Sequence, residues 1–217
     1  MKAVDLKKKA RLINKRLGAA YPDATIELNF SNPLELLIAT ILSAQCTDVR
    51  VNEVTKVLFK EFRTAADYLR RPVADIEAII RSAGFFRMKA KNIRGAVEKI
   101  VTEHKGKVPN AMQDLVKLPG VGRKTANVVL GNAFDLPGLP VDTHVTRISN
   151  RLGLTKNSDA VKIESDLAAL LEPKDWCMFS HRLIFHGRRT CKARRPLCEK
   201  CTVTDLCPFF QTGKYQS

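Results

Sequence analysis

The stretch Leu-Pro-Gly-Val-Gly-Arg-Lys-Thr-Ala, residues 118–126, decides the fold prediction. Before it, Asn-Ala-Met-Gln at residues 110–113 has the pattern of a helix N-cap with a capping-box partner three residues later. A proline ends that first helix, and Gly120 and Gly122 permit the positive φ angles and close backbone approach that a side chain would prevent. Because a second helix can begin near Arg123, the stretch predicts a helix, a glycine-rich hairpin and a helix.

Such a hairpin points free backbone N–H groups and a helix N-terminus at one spot. This arrangement binds a phosphate without reading base sequence. We therefore predict phosphate contacts at Gly120, Gly122 and Arg123. An ordinary turn between two helices is the alternative.

Lys124 and Asp142 are the two candidates for chemistry. Lys124 lies in the first turn of the second predicted helix, where the macrodipole disfavours an ammonium and so favours the neutral, nucleophilic amine. A phosphate-binding or solvated lysine is the alternative. Asp142 stands at the predicted start of a later helix as an N-cap, a catalytic carboxylate or both, since a cap fixes the carboxylate. We predict that His144 packs or contacts a phosphate rather than catalysing.

Apolar residues recur at helical spacing along nearly the whole chain, as in Val51, Val54 and Leu58. The pattern predicts an all-α protein of about ten helices separated by prolines and glycines. The segment Leu34 to Leu42 is apolar nearly all round, as expected for a helix through the middle of a domain. Phe134 to Pro140, with one glycine and two prolines, is the best candidate for a crossing between two lobes.

The charge of the chain predicts a polyanionic partner. Its 37 Lys and Arg against 22 Asp and Glu give a net charge of +15, which repels itself unless a polyanion neutralises part of it. The basic residues are spread along the chain, so they predict a folded nucleic-acid surface; a merely soluble basic protein is the alternative. Without a signal-peptide core or a membrane-length apolar stretch, we expect a cytoplasmic protein with no membrane association. We also expect a monomer that is associated with the nucleoid.

Four cysteines, Cys191, Cys198, Cys201 and Cys207, follow the pattern C-x6-C-x2-C-x5-C within 17 residues. In a reducing compartment such a group indicates metal ligands rather than disulfides. Zinc sites usually show two short C-x2-C pairs and this pattern has one, so the spacing favours a larger metal group while leaving zinc open.

The arm between the first two of these cysteines is basic. Its residues Lys192, Arg194 and Arg195 are expected to meet DNA phosphates, with a solvated charge run as the alternative.

These motifs occur together and in order. The stretch 118–126, Val-Asp-Thr-His-Val at 141–145 and the cysteine pattern resemble endonuclease III, as do Leu-Ser-Ala-Gln ending at Gln45 and Gly-Phe-Phe-Arg at 84–87. The resemblance covers almost the entire chain. It implies a helical-barrel lobe, residues 25–136, with a helix-hairpin-helix at 110–134. It also implies a second lobe of both chain ends, residues 1–24 and 137–217, around a 4Fe–4S cluster held by the four cysteines.

The resemblance further implies base-excision repair of double-stranded DNA that contains damaged pyrimidines or abasic sites. The implied enzyme is a bifunctional DNA glycosylase/AP lyase for oxidised or ring-saturated pyrimidines, thymine glycol being typical. Lys124 would attack C1′ of the extruded nucleotide and form a Schiff base, and β-elimination would cleave the strand 3′ to the abasic site. Asp142 would stabilise the cationic sugar or help deprotonate the amine.

Gln45 and Phe85 match family positions that fill the gap left by the extruded base and wedge the duplex. The alternatives are a polar residue at a helix end for Gln45 and a core aromatic for Phe85, with Phe86 as the exposed ring. Cys46 departs from the smaller residue expected after the glutamine and leaves the lesion preference open. Asp48 is predicted to cap the helix that begins there, with a place in the lesion pocket as the alternative.

Two rival functions use the same features. A monofunctional adenine-mismatch glycosylase shares the scaffold but generally lacks a lysine at the position of Lys124. A non-enzymatic iron–sulfur regulator would need neither Lys124 nor Asp142. Borohydride trapping of a protein–DNA adduct distinguishes the amine mechanism from both.

Overall fold

The computed structural model describes residues 3–213. These residues form α1 (Ala3–Ala20), α2 (Pro33–Leu42), α3 (Asp48–Glu61), α4 (Ala65–Arg70), α5 (Val73–Ile80), α6 (Phe86–Glu103), α7 (Met112–Leu115), α8 (Arg123–Ala133), α9 (Thr143–Arg151), α10 (Ala160–Ala168), α11 (Trp176–Arg189) and α12 (Pro208–Gln211). No strand occurs among residues 3–213, so the all-α prediction is confirmed. None of the helices in this range is long and apolar enough to cross a membrane.

The chain divides into two compact units. The central unit comprises Glu27–Leu136, and the terminal unit comprises the chain up to Ile26 and from Pro137 onward. The chain therefore passes from one unit to the other between Leu136 and Pro137, inside the segment Phe134 to Pro140 that the glycine and prolines single out.

The central unit is built around α2. Asn32 caps this helix by accepting a hydrogen bond from the Glu35 backbone at 3.0 Å, and Pro33 occupies the first turn, where its missing N–H costs nothing. Residues 36–42 are all buried, because α2 contacts α3, α6 and α8. The predicted core helix is confirmed.

In the terminal unit α11 packs against α9 and α1. Side chains from all three helices form its core, among them Leu17, Ile148 and Phe179. Gly187 permits the close approach of α11 and α9, since a Cβ there would lie 2.7 Å from Nδ1 of His144. The start of α9 is therefore held on a packed core.

Two predicted helix starts are wrong. The first hairpin helix, α7, begins at Met112 with Ala111 as its N-cap and no side-chain cap, so Asn110 does not form the predicted capping box. Thr47, rather than Asp48, caps α3, since its hydroxyl accepts from the Arg50 backbone at 3.3 Å. Asp48 lies one residue too late, as the first residue of the helix.

Candidate functional site

The glycine-rich hairpin packs tightly on α6. Gly120 has φ +77°, and a Cβ there would lie 2.9 Å from Cβ of Asn92. Leu115 and Leu118 are buried beneath the hairpin. Gly122 is the N-cap of α8 and has no side chain, so the N-cap itself supplies no acceptor to the N–H groups of the first turn. The predicted hairpin is confirmed, and Gly120 has the positive φ and close approach that were expected. For Gly122 this expectation is wrong, because it has φ −90° and a Cβ there would meet no atom within 4 Å.

Lys124 is the second residue of α8, as predicted. Its side chain is exposed, as is that of Arg123 before it. Among the described residues of the central unit the Lys124 amine has no recorded hydrogen bond or ion pair. The amine therefore lies at the N-terminal end of a helix and is accessible to solvent.

Asp142 caps α9. Its Oδ1 accepts a hydrogen bond from the Val145 backbone at 2.8 Å, and its own carbonyl accepts from the Thr146 backbone at 2.9 Å. The side chain is half-buried, and the capping bond is recorded for only one of its carboxylate oxygens. The cap interpretation is confirmed, and the cap fixes the direction of the carboxylate.

His144 lies half-buried on the same helix. Its Nδ1 is 3.1 Å from the Arg147 guanidinium. Burial lowers the pKa of His144, Asp142 opposes that shift, and Arg147 adds to it. These contacts are those of a packed ring, and a phosphate contact, the other predicted role of His144, stays a prediction.

Gln45 and Phe85 occupy two turns of the central unit. Gln45 has φ +52° and lies in the turn that follows the end of α2. Phe85 is the N-cap of α6 with φ +47° and is 69% exposed, whereas Phe86 is only partly exposed. Phe85, rather than Phe86, is thus the ring available to a partner.

Lys89 was missed by the sequence analysis. It is only 4% exposed, and its ammonium donates to the carbonyls of Leu42 at 2.8 Å and Ala83 at 2.7 Å. The signal was present, because the apolar stripe of α6 through Val97 and Ile93 continues one turn back onto Lys89.

The four clustered cysteines of the terminal unit line one pocket together with Phe209 and Phe210. The pKa of the Cys201 thiol is raised to about 11, chiefly by burial and to a smaller extent by the nearby thiols. Burial also raises the pKa of the Cys198 and Cys207 thiols. None of the six cysteines, all of which lie within residues 3–213, forms a disulfide. Within residues 3–213 no group of three or more His, Cys, Asp or Glu side chains is arranged to hold a single metal ion.

Arg151, at the end of α9, ties the basic arm to the cysteine pocket. Its guanidinium donates to the Cys191 sulfur at 3.3 Å and to the carbonyls of Lys192 at 2.7 Å and Ala193 at 2.8 Å. The arm closes through a bond from the Leu197 backbone to the Thr190 carbonyl at 2.9 Å.

The predicted arm cations Lys192, Arg194 and Arg195 are all exposed. The role of Arg151 could not be predicted from a sequence pattern, because its partners lie about 40 residues further along the chain.

Comparisons with known proteins identify the family of this chain. The family model described as HhH-GPD superfamily base excision DNA repair protein matches residues 38–173. Endonuclease III of Synechocystis sp. is 52% identical over 98% of this chain and 97% of its own length. Endonuclease III of Bacillus subtilis is 47% identical over 88% of each chain.

A solved structure of a trapped endonuclease III–DNA covalent intermediate is 42% identical to this chain, with a TM-score of 0.90 over 99% of this chain and 100% of that chain. The family resemblance predicted from the motifs is therefore confirmed, and the chain belongs to the endonuclease III family within the HhH-GPD superfamily of base excision DNA repair proteins.

Proposed function

We propose that this protein removes oxidised or ring-saturated pyrimidines, of the thymine glycol type, from double-stranded DNA and cleaves the strand 3′ to the resulting abasic site. Family membership gives the enzyme class, a DNA glycosylase with AP lyase activity. The observation that carries the proposal is the exposed Lys124 in the first turn of α8, at the helix N-terminus that follows the glycine-rich hairpin.

DNA binding is supported by charge and by a relative. The net charge of +15 suits a polyanion, and the solved relative at 42% identity is joined to DNA. The hairpin residues Gly120, Gly122 and Arg123 would hold a backbone phosphate at the positive end of α8. In this proposal the active form is a monomer, in the cytoplasm on the nucleoid.

The proposed reaction begins when the damaged nucleotide leaves the stack, since C1′ cannot be reached inside the duplex. The Lys124 amine attacks C1′, and the bond between C1′ and the base breaks with its electron pair leaving on the base. Ring opening yields a Schiff base between Nζ and C1′. Loss of a C2′ proton then expels the 3′ phosphate by β-elimination, and water hydrolyses the imine. The trapped covalent intermediate of the solved relative supports this course.

Asp142 would stabilise the positive charge that develops on the sugar, or take a proton from the attacking amine. Its capped position supports either role, because the bond to Val145 at 2.8 Å holds one oxygen and keeps the carboxylate from turning.

Gln45 and Phe85 would occupy the space that the extruded base vacates. Both are exposed, and both lie in turns rather than within helices. Cys46, next to Gln45, is partly exposed and would place a thiol near the lesion, so it is the residue that we expect to shift lesion preference.

We further propose that Cys191, Cys198, Cys201 and Cys207 hold a 4Fe–4S cluster. The donor set fits, since four thiols line one pocket and soft thiolates are the usual ligands of such clusters. Arg151, which donates to the Cys191 sulfur, would stabilise a thiolate there. The bound cluster would cross-link the terminal unit and hold the basic arm in place, so that Lys192, Arg194 and Arg195 meet DNA phosphates.

The purified protein is expected to be brown and to contain about four irons per chain, the stoichiometry of such a cluster. Cys198→Ser should lower both the iron content and the absorbance of the cluster, because a hydroxyl is a poor substitute for a thiolate. Cys46→Ser, outside the cysteine pocket, is the matched control and should retain the full complement. A colourless protein with stoichiometric zinc would refute the cluster.

Borohydride trapping tests the proposed function. Incubation with a duplex containing thymine glycol, or an abasic site, and with sodium borohydride should reduce the imine and leave a covalent protein–DNA adduct. An undamaged duplex of the same sequence is the control and should yield none. Absence of an adduct on both damaged duplexes would favour a monofunctional glycosylase or a non-enzymatic regulator.

A further inference from the structure

Lys89 is a buried cation whose recorded partners are two backbone carbonyls. Its side chain is 4% exposed, and its ammonium lies 2.8 Å from the Leu42 oxygen and 2.7 Å from the Ala83 oxygen. A buried ammonium is costly unless it is hydrogen-bonded, so these two bonds explain how the charge is tolerated.

The two carbonyls belong to the ends of two different helical segments. Leu42 is the last residue of α2, and Ala83 ends the short 3-10 turn Arg81–Ala83. The last carbonyls of a helical segment lack partners within it and carry its partial negative charge. Lys89 therefore caps both ends with one group and fixes the distance between them.

Gln45 and Phe85, the two residues proposed to fill the gap left by the extruded base, come after these two helical ends in the chain. Gln45 comes shortly after Leu42, and Phe85 shortly after Ala83. Both have positive φ, 52° and 47°, a conformation that residues other than glycine seldom adopt unless the surroundings impose it. The two ends that Lys89 joins are thus the anchors of both turns.

We propose that Lys89 is a positioning residue that holds the turns of Gln45 and Phe85 at one fixed separation, so that both side chains enter the duplex together. The inference rests on the proposed function, since it assigns Lys89 to the extrusion step of that reaction. A methyl-terminated side chain of the same length would leave both carbonyls without a donor and free the turns to move independently.

Lys89→Met tests the proposal by a ratio of two rates. Base removal from a thymine glycol duplex should fall about 10²-fold, the loss that a misplacement of about 1 Å can cause. Cleavage of a preformed abasic site, which has no base to extrude, should fall only a few-fold. When Lys89→Met binds a duplex with 2-aminopurine opposite the lesion, the fluorescence of that base should rise less than it does when the wild-type protein binds. Equal slowing of both reactions would overturn the proposal.

Ile100→Ala is the matched control, because Ile100 is fully buried on the same helix, α6, and its loss destabilises the fold without touching either turn. This variant should leave the ratio of the two rates unchanged.

Coupling gives a second test. Gln45→Ala and Phe85→Ala should each slow base removal strongly in the wild-type background and only weakly in Lys89→Met, since the turns are already displaced there. If the fold-losses of the single variants simply multiply in the double variants, the proposal is overturned. If Lys89→Met does not fold, Lys89→Gln is assayed by the same ratio with the same two outcomes.

The wild-type protein is trapped with borohydride in parallel. A missing wild-type adduct contradicts the role of Lys124, whereas a normal adduct with an unchanged ratio in Lys89→Met contradicts only the role of Lys89.

Discussion

Lys124→Gln is expected to abolish the borohydride adduct and to slow base removal and strand cleavage by about 10³-fold or more, since removal of a covalent nucleophile has effects of that size or larger. The amide has no basic lone pair with which to attack C1′. Duplex binding should persist, because the hairpin amides and Arg123 remain. Single-turnover kinetics and a binding titration on one lesion duplex measure the two properties separately.

The substitution should not disturb the fold. Lys124 is exposed at the start of α8, and surface changes of this kind usually alter the free energy of unfolding by less than about 0.5 kcal/mol. Lys117→Gln is the matched control, an exposed lysine between α7 and α8 that pairs with Asp114. It should form the adduct at the wild-type rate. Wild-type turnover by Lys124→Gln would refute the nucleophile.

The hairpin could be predicted because its causes are local. Gly120 needs a positive φ and a close approach to Asn92, Pro119 ends one helix, and α8 begins where the macrodipole acts on Lys124. The core helix α2 was equally predictable, since nearly every residue of it is apolar. Elements defined by their own sequence were found.

Side chains whose roles depend on partners far away in the sequence were not predicted. The role of Lys89 depends on Leu42, which lies far back in the chain and whose carbonyl accepts a hydrogen bond from the Lys89 ammonium. The role of Arg151 depends on the basic arm, because a carbonyl of that arm accepts a hydrogen bond from its guanidinium. The failed caps have a different cause. Asn110 and Asp48 are both good cap residues, but each stands one residue away from the N-cap that the structure uses, Ala111 and Thr47.

Asp142→Asn is expected to slow base removal by about 10²–10⁴-fold, the usual contribution of a positioned acid–base or charge-stabilising group. The amide keeps an oxygen for the Val145 backbone and loses the negative charge. Because asparagine caps helices about as well as aspartate, the free energy of unfolding should change by less than about 0.5 kcal/mol. The variant therefore separates the chemical role of this carboxylate from its capping role.

Asp159→Asn is the matched control. Asp159 caps α10 in the same unit, where its Oδ1 accepts from the Val161 backbone at 3.1 Å and the Lys162 backbone at 2.9 Å. The same exchange there should leave both rates at the wild-type value. Unaltered base removal by Asp142→Asn, with α9 intact, would mean that Asp142 is a cap alone.

The Asp142→Asn variant also distinguishes the two proposed roles. If the carboxylate stabilises the sugar cation formed during base loss, cleavage of a preformed abasic site should be slowed far less than base removal. If it takes the proton of the attacking amine, both reactions should slow together, since Lys124 must be neutral in each, and both should recover as the pH rises. Rates on the two substrates across a pH series measure this difference. Because asparagine keeps the helix cap, the difference reports on the charge of Asp142 alone.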